Sequence, residues 1–69
     1  MWKKGFLCGY YFEAKVYEMP SEYGVEGGRI SKLYIRKDGK VACNYDRGWD
    51  IEPTPEARAV YETILKTWN

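Results

Sequence analysis

The chain reads as α+β: a three-stranded antiparallel β-meander packed on one C-terminal α-helix, with residues 1–9 as a bent strand extension. Three observations predict this. Apolar side chains recur at Ala57, Val60, Tyr61, Ile64, Leu65 and Trp68, a helical stripe. Residues before that stripe alternate in the two-residue rhythm of strands. Asp38-Gly39 separates two alternating runs, the strongest short-range hairpin signal, because the turn requires positive φ.

The elements follow in order. Residues 1–9 place Gly5 and Gly9 among Trp2, Phe6 and Leu7, and read as a short strand bent at its glycines. From Tyr10 to Glu18, Tyr10, Phe12, Ala14 and Val16 share one face, and Tyr11, Glu13, Lys15 and Tyr17 the other. Met19 to Gly28 is a connection, long for a hairpin, that is either mobile or ordered by a partner. Between Arg29 and Arg36, Ser31, Leu33 and Ile35 point one way, and Ile30, Lys32, Tyr34 and Arg36 the other. The third strand runs from Lys40 to Tyr45 with Val41, Cys43 and Tyr45 inward. Asp46 to Pro53 reads as an irregular linker.

Thr54 is the expected N-cap, since its hydroxyl can accept from an orphan amide. Pro55 suits the first helical position, and Glu56 complements the positive end of the dipole. Arg58, Glu62 and Lys66 lie four apart on the solvated face, where such pairs add about 0.3 kcal/mol each.

Composition narrows the function. A chain of 69 residues is one domain and buries about 60% of its unfolded surface. With seven Tyr and three Trp, it holds more rings than one small core accommodates, so some rings face solvent or partners. Eleven basic residues against ten acidic give only a weak drive toward nucleic acid. The absence of His removes the commonest general base and the commonest metal ligand, and no metal site or cofactor is expected. Cys8 and Cys43 have no motif spacing and read as reduced, buried thiols. No apolar run reaches membrane-spanning length and the N-terminal apolar run is too short for a signal peptide, so a soluble cytoplasmic protein is expected.

Three regions are candidate sites. The first is Tyr45-Asp46-Arg47-Gly48-Trp49-Asp50. Arg47 offers a planar fork for phosphate or carboxylate, Trp49 a stacking surface, and Asp46 and Asp50 acceptors. The same residues have a structural reading, with Trp49 packed under the helix start and Arg47 paired to Asp46 or Asp50. The second is the outer sheet face, with Tyr11, Lys15, Tyr17, Lys32, Tyr34, Arg36 and Lys40. Cations interleaved with rings can track a phosphate backbone and stack its bases. A solvated face ranks first, a homo-oligomer interface second and a nucleic-acid surface third. The third region, Gly24 to Arg29, precedes a strand rather than a helix, so it is not a phosphate loop. With carboxylates, Tyr and Cys but no imidazole, the chain reads as a binding protein and not an enzyme.

The stretches Glu26-Gly-Gly-Arg-Ile-Ser-Lys-Leu33 and Asn44-Tyr-Asp-Arg-Gly-Trp-Asp50 resemble small uncharacterised proteins of Gram-positive bacteria and their phages. The resemblance implies a phage or mobile-element origin and stoichiometric capture of a host protein or a nucleotide-like anion, as in inhibitors of host defence. The expected strand order is also similar to the arm-binding domains of phage-type integrases, which lay a sheet in a DNA groove. Those domains tend to be more basic than this chain. In the capture reading the contacts are Arg47, Trp49, Tyr34 and Arg36, and homo-oligomerisation accompanies it because the core is small and rings are in surplus.

Overall fold

A computed structural model describes residues 1–69. Five strands form one antiparallel sheet in sequence order: β1 Trp2–Leu7, β2 Tyr10–Val16, β3 Ile30–Lys37, β4 Lys40–Asp46 and β5 Trp49–Ile51. A 3-10 turn, Pro55–Ala57, leads into α1, Arg58–Trp68. The class is α+β, but the expectation of three strands is corrected to five.

Both added strands were hidden by unusual turns. Residues 1–9 are not bent at Gly5; β1 pairs with β2 from Trp2↔Lys15 to Leu7↔Tyr10 with no register shift. The turn is Cys8-Gly9, with φ of 51° and 82°. Two consecutive positive φ values give the primed turn that matches strand twist, but Cys is an uncommon residue at such a position. At the other edge, Arg47 takes φ 58° beside Gly48 and turns the chain into β5, where a linker was expected. The expected Asp38-Gly39 turn is present, at φ 54° and 76°.

Two bulges revise which side chains face inward. Val16 pairs with Ile30, whereas Lys15 pairs with Lys32, so Ser31 is the extra residue. Beyond it the phase inverts, and Ile30, expected outward, is fully buried. Similarly Ile35 pairs with Cys43 and Arg36 with Val41, leaving Ala42 extra. Val41, expected inward, is exposed, and Ala42 is buried. Neither bulge wastes its carbonyl. Ser31 O accepts from Arg47 N at 3.0 Å, and Ala42 O accepts from Thr54 N at 3.0 Å. The bulges thereby fasten the β4–β5 turn and the approach to the helix.

The helix lies on one face only. Its Val60, Tyr61 and Ile64, with Ala57 of the preceding 3-10 turn, are buried against Phe12, Ala14, Val16, Leu33, Ile35, Cys43 and Tyr45. Leu65 and Trp68 complete the stripe half-buried, with Trp68 5.5 Å from the Phe12 ring. Thr54 Oγ1 accepts from Ala57 N at 3.3 Å, which is the expected cap. Arg58 and Glu62 pair at 3.6 Å on the solvent side. This helix is neither long nor apolar enough to cross a membrane.

The long connection is ordered by its own chain, with no need of a partner. Val25 within it is fully buried. Tyr45 donates its hydroxyl to the carbonyls of Tyr23 and Gly24, at 2.9 and 3.0 Å. Asn69 accepts from Ile30 N at 2.9 Å and donates to Val25 O at 3.0 Å. Tyr61 donates to Glu26 Oε2 at 2.8 Å.

Candidate functional site

Covering one face of the sheet leaves the other bare. Side chains alternate across a pleat, so the register assigns that bare face in three rows. The first holds Phe6, Tyr11, Arg36 and Val41; the second Lys4, Glu13, Tyr34, Asn44 and Ile51; the third Trp2, Lys15, Lys32 and Asp46. Four rings and four cations thus share one surface.

The rows are internally organised. Phe6 meets Tyr11 edge-on, with centroids 5.4 Å apart, and the Arg36 guanidinium lies 4.8 Å from the Tyr11 ring. The Lys15 ammonium sits 6.0 Å from Trp2 and 5.5 Å from Tyr17. Lys32 pairs with Asp46 at 3.8 Å. Tyr11 donates to Glu13 Oε2 at 2.5 Å. That bond is the main reason the Tyr11 hydroxyl holds its proton above the ordinary value, and burial adds to it. Tyr17 moves the other way, because the adjacent Lys15 ammonium favours its phenolate. Exposed pairs of this kind contribute little to stability; their effect is to hold rings and charges in place.

A groove of about 310 Å³ crosses this face, lined by Trp2, Glu13, Lys32, Tyr34, Asn44 and Asp46 among others. It carries two acids and one cation, the cation already paired to Asp46.

Of the expected site residues, Tyr11, Lys15, Lys32, Tyr34 and Arg36 do share the bare face. Tyr17 lies just beyond β2, half-exposed beside Lys15. Lys40 does not belong with them. It pairs with Lys37, whose ammonium lies 4.9 Å from Tyr10 of the helix-side face, and the Ala42 bulge accounts for the inversion.

The cluster expected around Arg47 is divided by the sheet. Asp46 and Asp50 belong to the bare face, where Asp50 accepts from Asn44 Nδ2 at 3.2 Å. Trp49 is on the helix side, 4.9 Å from Tyr45 and 5.8 Å from Tyr61, but stays 41% exposed rather than packed under the helix start. Arg47 occupies the turn, 5.9 Å from the Tyr23 ring, and pairs with neither aspartate. Gly24 to Arg29 is structural: a Cβ at Gly24 would collide with the Gly28 carbonyl, and one at Gly28 with the Asn69 amide.

Trp2, Lys4 and Phe6 were missed as site residues. Their alternation with Lys3, Gly5 and Leu7 was the available signal, and it was masked by reading the glycines as bends.

Cys43 is buried, and burial pushes its thiol up to about 12. Cys8, expected buried, is exposed in its turn. No group of three or more Cys, Asp or Glu side chains is placed to hold a metal ion. Residues 1–69 match the family model described as Domain of unknown function (DUF7678). No curated protein and no solved structure matches the chain.

Proposed function

We propose that this chain, which belongs to the DUF7678 family over residues 1–69, is a non-enzymatic binding protein that docks a partner protein on the bare face of its sheet. The observation that carries this reading is the one-sided helix. It leaves Trp2, Phe6, Tyr11 and Tyr34 beside Arg36 with no element of the chain over them. Aromatic residues and Arg are the side chains enriched at protein interfaces. The cations stand against Glu13, Asp46 and Asp50, a mixed pattern suited to a protein surface of mixed charge.

The groove argues against a small phosphate ligand, since Glu13 and Asp46 line it and its one cation is already paired. Capture is stoichiometric in this reading. It accords with the resemblance to small proteins of Gram-positive bacteria and their phages, and a host-defence protein is the partner that resemblance suggests.

A second reading, a single nucleic-acid strand laid over the face, draws on the interleaving of Lys4, Lys15, Lys32 and Arg36 with the four rings. It predicts affinity that falls steeply with salt.

The test is retention. Immobilised protein is expected to hold a defined partner from host lysate at moderate salt, and Tyr34→Ala with Arg36→Glu to release it. Equal retention by wild type and variant overturns the assignment of this face. Binding of fluorescent single strands, lost with salt, replaces the first reading with the second.

A further inference from the structure

The two edges of the sheet differ. β5 is three residues long, joins β4 through a register shift and runs toward Pro53. Those are the devices by which natural edges are blunted. β1 is six residues long, pairs without a shift and contains no proline.

Its free groups can be assigned. Val16 N donates to Met1 O at 2.8 Å, so Met1 and Val16 form a hydrogen-bonded pair. Such pairs alternate along an antiparallel ladder. Lys3, Gly5 and Leu7 therefore bond to β2, and Trp2, Lys4 and Phe6 turn their N–H and C=O groups outward, where β1 has no neighbour. The side chains of those same three residues lie on the bare face.

We propose that β1 adds to β1 of a second copy of this chain, antiparallel, with the two-fold axis at Gly5. Charge selects the register. An axis at Lys3 or Lys4 sets that lysine against itself, and like charges directly opposite are destabilising. An axis at Trp2, where β1 begins, leaves most of the strand unpaired, and an axis at Phe6 leaves only Gly5 to Leu7 to pair, because Cys8 leaves strand geometry at φ 51°. An axis at Gly5 faces Lys4 with Phe6 of the second copy, and Lys3 with its Leu7. Phe6 is 75% exposed and free to receive the ammonium on its ring. At the axis two glycines meet without Cβ atoms. The two lysines, which would otherwise guard the edge, instead permit one alignment. The product is a continuous ten-stranded sheet whose bare face is doubled, whatever that face binds.

The test is solution mass by light scattering, from low to high micromolar concentration. Wild type is expected to approach twice 8.1 kDa. Phe6→Lys, which sets lysine against Lys4, is expected to be monomeric. Phe6→Glu, which sets a carboxylate there, is expected to dimerise at least as well as wild type; unfolding cannot mimic that opposite pair of effects. Lys4→Pro removes an outward N–H that the fold does not use, and is expected to give a monomer with an unchanged circular-dichroism spectrum. Gly5→Cys in a Cys8→Ser background is expected to cross-link on oxidation. A wild type that stays monomeric throughout overturns the proposal, as does a dimer indifferent to both Phe6 substitutions or a folded Lys4→Pro variant that still dimerises.

Discussion

The hydroxyl of Tyr61 donates to Glu26 Oε2 at 2.8 Å, joining the helix to the β2–β3 connection across 35 residues of sequence. Burial first, and this bond second, raise the Tyr61 pKa above its ordinary value of 10.0. The helix therefore does more than roof the sheet: it holds the connection that carries Val25 into the core.

Tyr61→Phe keeps the ring and removes the bond, and is expected to cost about 1 kcal/mol. It also changes the alkaline limb. A phenol with a raised folded-state pKa contributes stability that is complete below pH 10 and lost as pH rises toward the folded value, because only the unfolded chain releases the proton readily. Melting temperature should therefore fall above pH 10 in wild type, and less steeply in Tyr61→Phe. Parallel melting curves for the two proteins between pH 8 and pH 11 would refute the link.

Gly24 and Gly27 should respond to alanine differently. Gly27 has φ +72° and open space around it, so Gly27→Ala carries only the left-handed penalty of about 1–2 kcal/mol. Gly24 has an ordinary φ of −76°, but a methyl there meets the Gly28 carbonyl. Gly24→Ala is expected to cost about 3 kcal/mol, in the overpacking range. Urea denaturation of both variants decides it; equal midpoints would contradict the packing described.

Ile64 and Leu65 are neighbours on the helical stripe, yet only Ile64 is fully buried. Ile64→Ala is expected to cost about 3–4 kcal/mol, within the range for buried aliphatics. Leu65→Ala should cost about half as much, since part of its surface already meets water. Chemical denaturation that ranked them the other way would place the helix in a different rotation.

The two thiols should separate cleanly. Cys8 is exposed and Cys43 is buried. A thiol reagent at pH 8 is expected to label Cys8 at once and Cys43 only at the rate of opening or unfolding. Cys43 holds its proton up to about 12, so it too contributes stability below pH 9 that is lost as pH climbs toward that value. Rapid labelling of both thiols in the native protein would contradict the burial of Cys43.

Much of this could be read along the chain. The stripe from Ala57 to Trp68, the Thr54 cap and the Asp38-Gly39 hairpin are local patterns with local causes, and each stands where its residues placed it. Five of the seven residues expected on the outer face share it, because alternation carries along a strand until something interrupts it. The interruptions were not legible. Ser31 and Ala42 resemble ordinary strand residues, and a bulge there depends on carbonyls wanted by Arg47 and Thr54 from elsewhere. Cys8-Gly9 lacks the Asn or Asp that usually marks a primed turn, and the β4–β5 turn puts its one positive φ on Arg47, so the strands they open passed as an extension and a linker.

The sequence by itself determined the class: one amphipathic helix, alternating strands and a small core, since periodicity and turn chemistry act over a few residues. Only the tertiary structure decided how many strands there are, which ring lies on which face, and that Trp49 and Arg47 part company with Asp46 and Asp50. The physical reason is phase. Side chains on a strand have a period of two, so one extra residue sends everything beyond it to the opposite face, and whether that residue is accommodated is settled by hydrogen bonds from distant parts of the chain.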